Sequence, residues 1–439
     1  MRRGLFLFSN DLRLHDNAAL RRIASQVDEL LLVYCLDPEL FRPRFCQTPA
    51  LGSHRLKFIQ ESLRDLQAQL ASMGQRLTIV EASAGRTIPA LVERYDVAVI
   101  AQAQAIGLDE RRQWQALQQQ LPDCRFIEAN NHCLFEVDEL PFSLGGLPES
   151  FSKFRRKLGD QFPSPALAAP ASLPPPPAGW RTESHAGYSA AGEQRFIGGE
   201  TAAIAHLKNY FSTALPTQYK ATRNALWGWE TSTKFSAWLA NGCLSPRRLL
   251  DTLIDYEQSV QRNGSTEWIY VELLWREYFQ FYALRHGADL FSFSGIKHQK
   301  PLTSFYPQRF RQWCEGTTPY PIVNACIREL NASGYMSNRG RQIVASCFVH
   351  EMGLDWRYGA AYFQRQLIDY DVASNWGNWQ YLAGVGADPR GHRHFDLNKQ
   401  TEQFDPDGEF RRHWLGEDAT AVELDHIDIV DWPTLREGQ

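Results

Sequence analysis

The sequence lacks the paired cysteines that commonly hold zinc or an iron–sulfur cluster. Its eight cysteines are scattered along 439 residues, and no two of them form a CxxC pair. Zinc and iron–sulfur sites typically use that spacing. We therefore predict no metal site, and we interpret the cysteines as free thiols in a reducing compartment.

Long apolar segments are also missing. The run Leu30–Leu36 is far shorter than the ~20 apolar residues that a membrane-spanning helix needs. Arg2 and Arg3 precede another apolar run, but Asn10 and Asp11 end it too early for a secretory signal peptide. These two observations predict a cytoplasmic protein with no membrane partner.

The third absence is a large charge of one sign. A net charge of −4 argues against a protein that coats nucleic acid by bulk attraction, although it leaves room for a local basic patch. Aromatic side chains, in contrast, are abundant and make up 12% of the residues, with 13 Trp and 25 Phe. Such a composition excludes disorder and predicts a large helical core.

Residues 1–130 alternate strand-like and helix-like segments. Five apolar runs rich in β-forming residues are GLFLFS, ELLLVYCLD, RLTIVEA, DVAVIAQ and CRFIEAN. Amphipathic stretches such as His54–Ser72 and Asp109–Gln120 lie between them. This alternation predicts an α/β domain with a doubly wound parallel sheet. No GxGxxG follows the first run, which argues against a dinucleotide site of the NAD type.

The remaining chain divides into a connector and a helical region. Residues 131–195 show no clear period, and Phe162–Trp180 is dominated by Pro and Ala, with four consecutive prolines. We predict a long interdomain linker there. Residues 196–439 have helical spacing to about Leu415, which predicts an all-α domain.

The most informative segment is Tyr335–Tyr381, with the motifs GYMSNRGRQ, LDW and LIDYDVASNWGNWQY. Buried ionisable groups are costly unless they are paired, so its carboxylates suit the fixed donors of a bound cofactor. The stretch LFLFSNDLRLHDNAAL at Leu5–Leu20 could by itself be only a strand, a turn and a helix N-cap at Asp16. Together the two segments closely resemble the photolyase/cryptochrome flavoprotein family, and their details resemble its cryptochrome-DASH branch.

The resemblance implies that FAD binds in the helical domain. The hydroxyl-rich stretch TSTKFSAW precedes a predicted helix, whose N-terminal N–H groups suit a pyrophosphate; an ordinary capped helix is the alternative. By resemblance, the residues that contact FAD are Tyr219, Ser232, Thr233, Lys234, Phe235, Ser236, Arg276, Asn338, Arg341, Asp369, Asp371 and Asn375.

Three of these residues resemble positions close to the flavin ring. Arg341 and Asp369 resemble an ion pair beside the reactive edge of the isoalloxazine, where positive charge would stabilise reduced flavin. Asn375 takes the position that faces the flavin N5. The family typically has Asp there in plant cryptochromes and Cys in animal ones, so Asn favours repair chemistry.

The motif ELLWRE places Glu272, Trp275 and Arg276 on one helical face. The resemblance assigns Glu272 and Trp275 to a lesion pocket, where an indole can sandwich an extruded base and a carboxyl group can hydrogen-bond its edge. A solvated Glu–Arg pair beside a core Trp is the alternative. The residues predicted to contact DNA or the lesion are Glu272, Trp275, Arg339, Gln342, Tyr381 and Arg390.

Trp379 and Trp356 match the inner two members of the family's electron-relay chain, although isolated helical Trp residues are usually core. With Glu272 and Asn375 they complete the predicted catalytic set. Thr303 occupies the family's outer Trp position, so the outer member is either Tyr306 or absent.

Gln342 and Tyr381 depart from the Met and Trp of duplex-repairing photolyases and match the DASH branch. A smaller, more polar platform should stack less strongly on a flipped dimer, which predicts a preference for single-stranded DNA. In the first domain, Glu110 matches the position of an acid that holds a folate antenna such as 5,10-methenyltetrahydrofolate. The alternatives are a core aromatic at Tyr381 and an exposed helix-start carboxylate at Glu110.

These features predict a monomeric, light-driven enzyme that splits cyclobutane pyrimidine dimers, preferentially in single-stranded or looped DNA. A cryptochrome-type photoreceptor is the alternative function. Signalling cryptochromes usually carry a long C-terminal tail, and the sequence stops seven residues after Trp432, which favours the enzyme. A dark redox flavoprotein fits poorly, because nothing in the sequence resembles a nicotinamide site.

Overall fold

Five apolar segments of the first domain pair as parallel strands in the computed structural model, which describes residues 1–43, 45, 47–180, 196–388 and 393–416. The strand order is β3-β2-β1-β4-β5. The strands are β1 (Arg3–Phe8), β2 (Glu29–Cys35), β3 (Leu77–Val80), β4 (Val97–Ala103) and β5 (Arg125–Ala129).

Helices cover both faces of this sheet. Successive strand residues point to opposite faces, so Leu5 and Leu7 join one apolar cluster while Phe6 and Phe8 join another. The predicted doubly wound parallel sheet is confirmed. Its helices are α1 (Ala18–Ala24), α2 (Ser53–Ser72), α3 (Ala84–Tyr95) and α4 (Leu108–Gln120).

The turn after β1 differs in one detail from the sequence interpretation. Asn17, not Asp16, caps α1, and its side chain accepts a hydrogen bond from the Leu20 amide. Asp16 instead has a left-handed backbone with φ of 46°. Its carboxylate accepts hydrogen bonds from the Ser245 hydroxyl and the Leu167 amide, so it connects the turn to distant parts of the chain.

The region predicted as a linker contains some helix. It holds 3₁₀ turns at Val137–Glu139 and Leu144–Gly146 and the helix α5 (Phe151–Leu158). Residues 162–180 contain no helix or strand. They lie against the first domain, where the Pro175 carbonyl accepts a hydrogen bond of 3.0 Å from the Leu30 amide.

The described residues from 196 onward contain helices and no strand, so the predicted all-α domain is confirmed. Its longest helix, α10, packs against α7 and α15. The helices are α6 (Glu200–Phe211), α7 (Leu215–Thr222), α8 (Ser236–Ala240), α9 (Pro246–Ser259), α10 (Gly264–His286), α11 (Pro307–Glu315), α12 (Pro321–Ser333), α13 (Asn338–His350), α14 (Trp356–Gln366), α15 (Val372–Leu382), α16 (Leu397–Phe404) and α17 (Glu409–Leu415).

A buried arginine ties the two domains together. Arg13 is 1% exposed, and its guanidinium donates to the carbonyl oxygens of Gly242 at 2.9 Å and Asn131 at 2.5 Å. The Glu200 carboxylate accepts a hydrogen bond of 2.7 Å from the Leu14 amide. Since buried charges are stable only when they are bonded in this way, these contacts hold the helical domain on the carboxyl end of β1.

Across the described ranges, no helix combines the length and apolarity needed to cross a bilayer. In the same part of the chain, no cluster of three or more His, Cys, Asp or Glu side chains is arranged to hold a metal ion.

Candidate functional site

One cavity of the helical domain gathers many of the predicted flavin-contacting residues. It lies between α13, α15 and the turn that precedes α15. Seven residues singled out from the sequence line it, namely Asn338, Arg341, Gln342, Asp369, Asp371, Asn375 and Trp379. Tyr370, Ser374 and Asn378 line it as well and were not singled out.

The ion pair predicted at this cavity is present. The Arg341 Nη2 atom donates to both carboxylate oxygens of Asp369, at 3.0 and 2.8 Å. The Asp369 side chain is 1% exposed, whereas 26% of the Arg341 side chain remains accessible. Arg341 Nε also donates to the Met336 carbonyl at 2.9 Å. The pair therefore presents a fixed guanidinium at the cavity wall, while its carboxylate stays enclosed.

Asp371 is held at the start of α15 by two kinds of donor. Its Oδ1 accepts the Ser374 amide at 2.7 Å, as an N-cap does. The buried Gln280 side chain donates to both Asp371 oxygens, at 2.9 and 3.0 Å. Sequence reasoning missed Gln280, although it lies one helical turn after Arg276 on α10.

Asn375 faces the cavity with one amide hydrogen already used. Its Nδ2 atom donates to the Ala360 carbonyl of α14 at 3.0 Å. This bond fixes the side-chain orientation and makes Oδ1 the group best placed to accept a further hydrogen bond.

The hydroxyl-rich loop before α8 is linked through Tyr335 to Arg341, which lines the cavity. Lys234 adopts a left-handed backbone with φ of 57°, which costs energy for a residue with a side chain. Its buried ammonium lies 4.9 Å from the centre of the Tyr335 ring, and the Arg341 guanidinium lies 5.6 Å from the same ring. Two cations thus converge on Tyr335, an arrangement that favours an anionic ligand nearby.

The loop does not form the ordinary capped helix that was its alternative interpretation. The helix α8 has only five residues, and no side chain caps its first turn. Thr233 contributes its carbonyl oxygen to a contact of 2.9 Å with His206 Nε2. Ser232 and Ser236 flank this part of the loop, and the predicted contacts Phe235 and Tyr219 are buried.

Glu272 is held by two neighbours. Its Oε1 accepts hydrogen bonds from Trp268 Nε1 at 2.9 Å and from the Arg223 guanidinium. Burial raises the pKa of Glu272, and Arg223 opposes that shift. Arg223 was missed from the sequence, although it lies four residues after Tyr219. The guanidinium of Arg276 donates to the His132 carbonyl, so in this structure it binds the connector.

The two aromatic residues predicted for the lesion pocket, Trp275 and Tyr381, contact each other. Trp275 stacks on Phe151 at 3.8 Å between ring centres and meets Tyr381 edge-on at 6.1 Å. Arg339 donates to the Asn224 side chain at 3.1 Å. Arg390 lies outside the described residues. Trp275 and Tyr381 therefore form the walls of one aromatic corner.

The proposed relay residues lie on adjacent helices. Trp379 is 2% exposed and packs against α14 at Gly359, where an added Cβ atom would come within 2.2 Å of its indole. Trp356 begins α14, one turn earlier. Glycine at 359 thus lets the indole of Trp379 approach the helix that carries Trp356.

Two further Trp residues contact this pair. Trp376 lies 5.8 Å from Trp356 and Trp313 lies 6.2 Å from Trp379, measured between ring centres. Tyr306, the candidate outer member, has the Arg309 guanidinium 4.3 Å from its ring centre.

Glu110 lies apart from the cavity, in the first turn of α4. Its side chain is exposed, as the alternative interpretation expected, yet partial desolvation by neighbouring atoms raises its pKa, while the positive charges of Arg111 and Arg55 oppose the shift. The Arg55 guanidinium lies 4.6 Å from the centre of the Tyr370 ring, and Tyr370 lines the cavity. Arg55 therefore contacts the cavity-lining residue Tyr370 and also influences the charge of Glu110.

Comparison with known protein families gives two matches. The family described as DNA photolyase matches residues 4–176, and the FAD binding domain of DNA photolyase matches residues 268–430. With the flavin-type cavity, these matches define a flavoprotein of the photolyase class. The prediction of FAD as cofactor is confirmed.

Individual relatives narrow the class. Proteins named cryptochrome DASH from Idiomarina loihiensis and Vibrio parahaemolyticus are 50% and 48% identical to this chain, covering 98% of it and 96% and 97% of their own lengths. The crystal structure of a Synechocystis cryptochrome matches with a TM-score of 0.90 and 36% identity, over 96% of this chain and 91% of the other. The chain belongs to the photolyase/cryptochrome family, in its cryptochrome-DASH branch.

A class III photolyase from Agrobacterium tumefaciens has the same fold, with a TM-score of 0.81 and 26% identity over 94% of this chain and 86% of its own. The resemblance stated from the sequence motifs is therefore confirmed for the fold, the family and the cofactor.

Proposed function

We propose that this protein uses light and FAD to split cyclobutane pyrimidine dimers, preferentially in single-stranded or looped DNA. The observation that carries the proposal is the proximity of two sites. The cavity lined by Arg341 and Asn375 is also lined by Asn378, which lies three residues before Tyr381 of the aromatic corner and on the same face of α15.

The residues of the cavity, together with Lys234 of the loop before α8, fit FAD. The buried Lys234 ammonium and the Arg341 guanidinium converge on Tyr335, where they would balance the negative charge of a pyrophosphate or of a reduced flavin. The carboxylate of Asp371 is oriented by Gln280 and can accept a hydrogen bond from a ribityl hydroxyl. Asn375, whose Nδ2 is held by the Ala360 carbonyl, would be free to offer Oδ1 to a bound flavin. When bound, reduced FAD supplies the electron that light transfers to the dimer and that returns after the ring opens.

The aromatic corner would receive the flipped bases. Trp275 is fixed by its stack on Phe151, so it provides a rigid wall at little entropic cost. Glu272, whose pKa is raised by burial, can offer its carboxyl group to a base edge. Its present partner Arg223 would then need to share or release Glu272 Oε1.

The proposal is tested by a light-dependent repair assay with reduced protein and a single-stranded oligonucleotide that carries one dimer. We expect loss of the dimer under blue light and none in the dark. A protein that retains FAD but never repairs a dimer in light would favour the photoreceptor function that some cryptochromes have. The folate antenna at Glu110, the monomeric state and the cytoplasmic location remain predictions.

The cofactor assignment gives a first prediction. Purified protein should contain one FAD per chain, released by denaturation because no covalent bond holds it. Asp369→Asn should weaken FAD retention about tenfold, since a charged hydrogen bond contributes ~1.5–3 kcal/mol. The matched control is Asp355→Asn, which alters a similar buried carboxylate paired with Arg357 at 2.7 Å. FAD content after dialysis measures the effect, and equal loss in both variants would contradict the assignment.

The outer relay position gives a second prediction. A guanidinium 4.3 Å from the Tyr306 ring centre should disfavour the positive charge that forms when the ring is oxidised. We therefore expect Tyr306→Phe to leave flavin photoreduction within about twofold of the unmodified rate, a difference of only ~0.4 kcal/mol in barrier. Transient absorption measures this rate. A much slower photoreduction in Tyr306→Phe would identify Tyr306 as the outer donor.

A further inference from the structure

The loop after α15 is fastened to a second loop by a lysine. We call residues 384–388 the rim loop, because they follow directly on the helix that carries Trp379 and Tyr381. Lys297 donates from its ammonium to the carbonyl oxygens of Gly384 at 3.0 Å and Asp388 at 2.8 Å. Its backbone amide donates to the Val385 carbonyl at 3.3 Å. Three hydrogen bonds from one residue thus hold both ends of the rim loop.

The rim loop presents a buried carboxylate to an arginine. The Asp388 side chain is fully buried, and its Oδ2 atom accepts a hydrogen bond of 2.6 Å from Arg393 Nε. A third of the Arg393 side chain remains exposed. A buried carboxylate is stable only with such a partner, so the pair strongly favours one position of the guanidinium.

That position lies over the aromatic corner. The Arg393 guanidinium is 4.5 Å from the centre of the Tyr381 ring, which also meets Trp275 edge-on at 6.1 Å. Arginine has five N–H donors in a fixed plane. Asp388 bonds Nε, and the side chain remains one-third exposed, so the Nη groups can donate to acceptors on a bound nucleotide.

We propose that Asp388 and Lys297 are positioning residues that act through Arg393, keeping its guanidinium against Tyr381 for recognition of a dimer-containing DNA strand. This inference rests on the proposed function, because it assigns part of the same substrate site. Lys297 fixes the rim loop, the rim loop places the Asp388 carboxylate, and the carboxylate orients Arg393. None of the three residues lines the cofactor cavity.

The test measures binding in the dark, with FAD-loaded protein and two single-stranded oligonucleotides that differ only by one dimer. Asp388→Asn and Arg393→Gln should each reduce the preference for the dimer strand about tenfold, the value of one charged hydrogen bond. The double variant should be no worse than Arg393→Gln alone, because the proposed effect of Asp388 passes through Arg393. Lys297→Met should reduce the preference in the same direction.

A matched control is Asp405→Asn, which alters another buried carboxylate, bonded to Arg411 Nε at 2.8 Å in the α16–α17 turn. It should leave the dimer preference unchanged, which separates positioning from general loss of stability. Additive effects of Asp388→Asn and Arg393→Gln, or an unchanged preference in Asp388→Asn, would overturn this inference alone. An unmodified protein that binds both strands equally would overturn the proposed dimer site and this inference with it.

Discussion

Replacing Trp379 with Phe should nearly abolish the photoreduction of oxidised flavin while leaving repair by reduced enzyme intact. Trp379 lines the cavity and packs against α14 at Gly359, so it is the indole best placed to donate the first electron. A benzene ring is much harder to oxidise. Even ~3 kcal/mol added to the activation free energy of that electron transfer would slow it about 100-fold.

Repair by already reduced enzyme should survive because it needs only reduced flavin beside the dimer. Trp356→Phe should act in the same way, since Trp356 is the second indole of the proposed relay. Trp114→Phe is a suitable control, because Trp114 is equally buried but lies in the α/β domain. The protein is illuminated in the presence of an external reductant, and the loss of oxidised-flavin absorbance with time gives the photoreduction rate. Unchanged photoreduction in Trp379→Phe would refute the relay assignment.

The parts of this molecule that could be predicted from sequence are those set by local periodicity. The continuous apolar run at Leu5–Phe8 is typical of a strand buried on both faces, and the spacing of Glu272 and Arg276 gives one helical face. Both patterns depend only on neighbours along the chain, so the sheet and the helical domain were accessible from them, whereas the gathering of the 338–342 and 369–379 residues was implied by the family resemblance.

What the sequence could not provide are partners set by tertiary packing. Arg223 lies 49 residues from Glu272, and Gln280 lies 91 residues from Asp371. No local period relates such residues, since their meeting depends on how α7, α10 and α15 pack. The turn after β1 shows the same limit on a smaller scale. Asp16 and Asn17 are both good capping residues, and the distant Ser245 hydroxyl is what engages Asp16 instead.

Substrate choice should follow from the aromatic corner. Dimers in single-stranded or looped DNA should be repaired well, and dimers in intact duplex poorly. Extruding a base from a duplex costs a few kcal/mol, and less when the strand is already single. Stacking of each base on an aromatic side chain contributes ~1–3 kcal/mol of binding free energy. Tyr381 offers a smaller platform than Trp, and Gln342 is more polar than Met. The stacking free energy should therefore be too small to offset the cost of extruding the dimer from a duplex.

The double change Gln342→Met with Tyr381→Trp should therefore raise duplex repair by about tenfold, equivalent to ~1.4 kcal/mol of added stacking. Binding to single strands should tighten as well, because the new platform contacts the dimer in both substrates. The wider indole at 381 must also fit beneath the Arg393 guanidinium, 4.5 Å from the present ring centre.

Repair rates on matched single-stranded and duplex substrates, at limiting protein, measure the gain. Gln342→Met alone provides the control for the polar contribution, since it leaves the Tyr381–Trp275 contact in place. Equal repair of both substrates by the unmodified protein would show that these two positions do not restrict the enzyme. If duplex repair instead stayed poor in the double variant while its single-strand binding tightened, the barrier would lie in the shape of the pocket rim, which Lys297 and Asp388 hold in place.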